Sequence, residues 1–136
     1  MDRSLKMLNK AASRLKKLNG KIPENIFLLQ ADIFLLPFYE NTFSVVNSHG
    51  MLHLFSDIGN YLNSLNKVLQ KNGKMFFLVI LGENIFGKIF TRLALALGEF
   101  GFSMNGKQLA ETIEKLGYKT SFQTIGNIGY FELVNY

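Results

Sequence analysis

The sequence predicts a three-layer α/β sandwich with an open, mostly parallel sheet and an antiparallel strand at its C-terminal end. Three observations carry that expectation. Near-continuous apolar runs at residues 25–30 (NIFLLQ) and 74–81 (KMFFLVIL) read as strands covered on both faces, as in a parallel sheet. Between them the apolar residues fall at helical spacing, so strand, helix and strand alternate as right-handed crossovers require. The chain then closes with two β-rich segments joined only by Gly126-Asn127, a link whose shortness favours antiparallel pairing.

Size and composition fit this class. A chain of 136 residues that is 48% hydrophobic has enough apolar side chain for one real core and too little length for two ordinary domains. Cysteine is absent, which excludes a disulfide framework, a zinc finger and a thiolate nucleophile, and suits a reducing, cytoplasmic setting. The N-terminus has no long apolar run before a cleavage site, so it does not read as a secretory signal. The net charge of +5 is modest and concentrated early, in Lys6, Lys10, Arg14, Lys16, Lys17 and Lys21. A solvated helix face is the simplest use for these cations; nucleic acid or an anionic membrane surface are the alternatives. No aromatic residues interleave with them as on a base-stacking platform, so no nucleic-acid partner is expected.

The elements follow in order. Ser4 can cap a helix reaching Leu18, with Leu5, Leu8, Ala11, Ala12, Leu15 and Leu18 on one stripe, and Asn19-Gly20 stops it. The first strand is expected at residues 25–30, and Pro37 interrupts any regular structure after it. A second short buried strand is expected at residues 42–47, carrying Val45 and Val46. A polar loop then leads to a helix from Ser56 or Asp57 to Gln70, with Ile58, Tyr61, Leu62, Leu65 and Val68 inward. Lys71-Asn72-Gly73 makes a tight exit into the strand at 74–81. Residues 82–103 repeat Ile85, Phe86, Ile89, Phe90, Leu93, Leu97 and Phe100 at helical spacing, opposite Lys88, Arg92 and Glu99. Core packing, a cover over a substrate or partner, and an interfacial membrane helix all fit that pattern; a membrane span does not, because the stretch is short and broken by charge. Asn105 caps a final helix at residues 106–116, ended by Gly117.

His49, His53 and Asp57 fall four apart, as metal ligands on one helix face would. His49, however, ends a strand and precedes Gly50, so the even spacing need not mean one face, and no metal is expected. Neither a P-loop nor a nucleophile elbow with a serine-histidine-acid set is present.

Taken together, these residues resemble a class I S-adenosylmethionine-dependent methyltransferase of the small-molecule branch. That family reads D-x-S-x-x-M-L-x-x-A after its second strand, matched by Asp2, Ser4, Met7, Leu8 and Ala11. It then reads A-D-x-x-x-L-P-F-x-x-x-x-F-D-x-V, matched by Ala31-Asp32, Leu36-Pro37-Phe38, Phe43 and Val46, with Ser44 where Asp is usual. Leu52-His53, the Leu62…Val68-Leu69…Gly73 spacing and Gly117-Tyr118 continue the match. The order and spacing are specific; no single piece is.

The resemblance implies a Rossmann-like methyltransferase fold and S-adenosylmethionine as cofactor, with methyl transfer to a small-molecule acceptor. Asp2 would accept from the ribose hydroxyls and Asp32 from the adenine amino group. The Ile33 amide following Ala31-Asp32 would meet a ring nitrogen, with Met7 or Ile33 against the adenine face. Asn47 and Ser48, with His49, would lie at the sulfonium end, and His49 and His53 are the candidate catalytic bases. It further implies a single partial domain over residues 1–136, truncated before the family's first strand and glycine-rich loop, with residues 82–103 as a lid or inserted helix. A sheet so interrupted would leave strands without neighbours, so a homodimer or a second chain completing the sheet is expected. A catalytically silent fragment or partner subunit is the other reading.

Overall fold

The computed structural model describes residues 1–134 and divides into two compact units, Met1–Pro37 and Phe38–Tyr136.

The first unit is one helix and a strap. Ser4 accepts from the Met7 amide and starts α1 (Leu5–Asn19), and Gly20, at φ 73°, ends it in the left-handed region that glycine enters without strain. Leu8 is buried and Ala11, Ala12 and Leu15 are half-buried on the expected stripe, while Leu5 and Leu18 at its ends are exposed. Residues 25–30 do not form the expected strand. Phe27 is 85% exposed, and the segment makes only one parallel bridge, Gln30 to Asp2. An apolar run does become a doubly covered strand, but only where neighbours pair and cover it; here the pairing partner is a single residue.

The second unit holds a mixed four-stranded sheet in the order β1-β2-β4-β3. β1 (Phe43–His49) pairs in parallel with β2 (Leu69–Ile80), and α2 (Ile58–Val68) makes the crossover between them. β4 (Ile128–Val134) lies antiparallel to both β2 and β3 (Lys119–Ile125), through the Gly126-Asn127 turn. The anticipated exit at Lys71-Asn72-Gly73 is absorbed into β2 as an irregularity, with Asn72 at φ 61°. There β1 advances from Phe43 to Val45 while β2 advances from Leu69 to Lys74.

β2 is the spine of the core. Met75, Phe77 and Val79 are buried and alternate with half-buried Phe76, Leu78 and Ile80, which is why the run reads as continuously apolar. Tyr61, Leu62 and Leu65 of α2, Leu109 and Ile113 of α4 (Gly106–Lys115), and Phe131 and Leu133 of β4 join it. β1 departs from expectation: it is extended, but Val45 is 47% exposed and only Ser48 is buried. Its far edge carries no ladder among the described residues.

α3 (Ile85–Ala96) resolves which way its two faces point. Its side chains against the protein are the small ones, Gly87, Thr91 and Ala94, and the large apolar stripe faces out. The cause is close approach. A Cβ at Gly87 would overlap the Asn127 side chain, whose Oδ1 and Nδ2 exchange hydrogen bonds with Asn84 at the helix start, both at 3.2 Å. Thr91 Oγ1 meets Ser103 Oγ at 2.6 Å in the same tight seam. A face carrying Phe and Ile has no room there.

Candidate functional site

The expected site residues fall in two sets, one in each unit. In the first unit the parallel bridge holds the chain on both sides of Asp2: its amide donates to Leu29 O (3.1 Å), and its carbonyl accepts from Ala31 N (3.2 Å). Gln30 Nε2 donates to Arg3 O at 3.0 Å and locks the same register. Asp2, Ala31, Asp32 and Ile33 are thereby gathered at one end of the unit, although nearly thirty residues separate them in sequence.

Each carboxylate there has one local task. Asp2 Oδ1 accepts from Ser4 N (2.7 Å) at the start of α1, and Asp32 Oδ1 accepts from Phe34 N (3.0 Å) in a tight turn. Asp32 Oδ2 lies 3.8 Å from Arg3 Nε, a loose and largely exposed pair that contributes little. A carboxylate offers about four lone-pair sites, so both retain acceptor capacity. The Ile33 amide has no acceptor among the described residues, and Met7 is half exposed. This end of the unit thus offers two carboxylates with spare acceptor capacity and one amide donor.

In the second unit the end of β1 separates its side chains by strand alternation. Ser48 turns inward, its hydroxyl 2.6 Å from Tyr61 Oη, while Asn47 and His49 are exposed. Burial raises the Tyr61 pKa against the opposing pull of Ser48, so the phenol stays protonated and the pair is a neutral, structural one. The Ser48 hydroxyl is therefore engaged within the fold. Gly50, at φ 70°, turns the chain off the sheet with its amide on Leu78 O (2.8 Å).

His53 sits in the 3₁₀ turn Leu52–Leu54 and is 3% exposed. Its ring lies against Phe100 with centroids 4.5 Å apart, and its Nδ1 faces the Ile80 amide at 3.4 Å. Its carbonyl accepts from Gly101 N at 2.8 Å. Desolvation lowers its pKa below 6.5, so it is a neutral imidazole that ties the 97–104 segment to β2. His49 is the exposed histidine of the two. No group of three potential metal ligands forms among the described residues; Asp57 instead caps α2, accepting from Asn60 N at 2.9 Å.

One feature was not foreseen from the residues. Lys88 and Arg92 of α3, with Ser103, Met104, Asn105 and Gln108, line an open polar cavity of about 220 Å³ just beyond the C-terminal end of β2. The i, i+4 spacing of the two cations was the available signal. Asn105 and Gln108 are committed to the capping box of α4, which also draws Glu83 onto the Gly106 amide.

The sequence profile of the methyltransferase-domain family matches residues 1–77, more than half of the chain. The chain belongs to the class I S-adenosylmethionine-dependent methyltransferases. Solved structures agree on the fold. A chain of the Haloferax volcanii complex between the Trm112 methyltransferase activator and a methyltransferase superposes with a TM-score of 0.76 at 13% identity, covering 97% of this chain and 69% of that one. A candidate methyltransferase of Bacillus halodurans gives 0.70 at 12%, covering 98% and 79%. A SAM-dependent methyltransferase of Aquifex aeolicus gives 0.68 at 15%, covering 97% of this chain and 64% of its own length. No curated protein sequence matches. At such identities the likeness concerns the fold, and this methyltransferase's acceptor has to be argued from its own residues.

Proposed function

We propose that this methyltransferase binds S-adenosylmethionine with Asp2 on the ribose hydroxyls and Asp32 on the adenine amino group, and serves methyl transfer to a small-molecule acceptor. The observation that carries the reading is the Asp2–Gln30 bridge, which sets both carboxylates at one end of the first unit. The Ile33 amide then reads as the donor to an adenine ring nitrogen, and Met7 as the apolar face beside it. The two units are read as parts of one domain, with residues 82–103 inserted beside the acceptor.

When bound, the cofactor supplies a methyl group on a sulfonium, which an acceptor oxygen, nitrogen or carbon can displace in line. The chain's part is to orient and to desolvate. Asn47 and the backbone at Ser48 are assigned to that end. Between the two candidate bases, exposure favours His49; His53 is spent on Phe100 and the Ile80 amide, so its contribution is to position the wall.

A second reading has its own support. Asp2 and Asp32 each already serve a local turn, on the Ser4 and Phe34 amides. A catalytically silent subunit would look like this. The unladdered edge of β1 is where a second copy or another chain would complete the sheet, and the related Haloferax chain is itself found with an activator.

Titration calorimetry with S-adenosylmethionine and its demethylated product separates these readings. Measurable binding that Asp32→Ala weakens at least about tenfold, the worth of one charge-assisted hydrogen bond, supports the binding site. A folded, monodisperse chain that binds neither compound ends it and leaves the silent subunit.

A further inference from the structure

We propose that α3 is a membrane-docking helix that lies on an anionic bilayer, with its apolar stripe in the acyl boundary and Lys88 and Arg92 on lipid phosphates. The inference goes beyond methyl transfer and does not depend on cofactor binding.

It starts from the outward stripe. Ile85, Phe86, Ile89, Phe90 and Leu93 of the twelve-residue helix, with Leu97 at its C-cap, range from 53% exposed at Phe90 to 79% at Phe86. Isolated apolar side chains on a surface need no explanation, but six on one helical face make a contiguous patch of the kind that marks an interaction surface. The opposite, small-residue face is fixed against the Asn127 turn and Ser103, so the helix cannot simply roll to hide the stripe.

Charge selects the occupant. At 100° per residue, Lys88 and Arg92 lie together along one flank of the stripe, between it and the buried face. Neither forms an ion pair among the described residues, and from Asn84 to Gly98 there is no acidic residue. Of the two flanking acids, Glu83 is held on the Gly106 amide and Glu99 lies past the Gly98 turn. The cavity of about 220 Å³ that the two cations line is polar and open. Apolar side chains bordered by cations that line a polar recess match an acyl layer bordered by phosphates. A second copy of this helix is a poor match, because stripe against stripe brings cations together with no acid on either helix to meet them.

The test is flotation of the full chain with phosphatidylcholine vesicles, with and without about one-third phosphatidylserine. Binding should require the anionic lipid and fall as salt rises. Lys88→Gln with Arg92→Gln should weaken it about twenty-five-fold, each cation near an anionic surface being worth about a factor of five. Ile89→Asp with Leu93→Asp should abolish it; both positions are exposed, so circular dichroism should be unchanged. Three results overturn the proposal: no flotation by the folded chain; flotation that survives the α3 changes but is lost with Lys16→Gln and Lys17→Gln; or α3 changes that turn a dimer into a monomer while flotation is unaltered. Cofactor calorimetry on the same α3 variants should match the unsubstituted chain, so failure of docking and failure of the cofactor site read out separately.

Discussion

The two units of the molecule are stabilised in different ways. Phe38–Tyr136 is built on long-range pairing: a parallel ladder with β1 and an antiparallel ladder with β4 meet on β2, β3 pairs with β4 beyond it, and aromatic and aliphatic side chains of α2, α4 and β4 join its core. Met1–Pro37 has one capped helix, one isolated bridge and a single buried side chain, Leu8, among its described residues. Hydrophobic burial is the dominant favourable term in folding, so the second unit can be expected to unfold as a block while the first opens by local steps. The proposed adenosine-binding residues are all on the weaker side. A ligand that bridges Asp2 and Asp32 would therefore stabilise that unit by mass action as well as occupy it.

Three substitutions or conditions can break or sharpen this contrast. The largest effect should come from Phe77→Ala, which empties the centre of β2 opposite Phe131; a loss of about 3–5 kcal/mol in urea unfolding is expected. Ser4→Ala, which removes the α1 cap, should cost about 1 kcal/mol by local hydrogen exchange in α1 while leaving exchange in β2 unchanged. If β2 amides respond as strongly as those of α1, the units are one cooperative block and the contrast fails. The smallest effect concerns pH. His53 binds its proton less readily folded than unfolded, so between its lowered folded pKa and 6.5 the unfolded state holds more protons. Its contribution is complete above pH 6.5 and is lost as pH falls below it. Thermal unfolding of second-unit probes should decline on acidification through that range, and His53→Gln should flatten the decline.

Much of the second unit was legible because period and punctuation agree there. Asp57, Asn105 and Gly117 mark helix ends that the structure keeps, and the 74–81 run is buried on one face and half-covered on the other. Residues 25–30 were misread because an apolar run shows only what could be covered. Coverage depends on neighbours, and here the one paired neighbour is Asp2. For the stripe of α3 the facing was left open: helical periodicity establishes that two faces exist, not which one meets the protein. The small residues Gly87, Thr91 and Ala94 were the overlooked clue, since close approach favours a face without bulk. As for the site, the adjacency of Asp2 and Asp32 followed from the family resemblance and not from spacing. The burial of His53 depends on Phe100, contributed from nearly fifty residues away, and no local pattern announces that.

The irregularity between α2 and the regular part of β2 has a consequence for length. β2 spends an odd number of extra residues between its pairings with Phe43 and Val45. Because strand side chains alternate with period two, that odd count decides which set points to the core. Removing one residue from positions 70–73 would turn Met75, Phe77 and Val79 outward together, whereas removing two would preserve their facing. Natural length variation at this corner should thus be governed by parity more than by size.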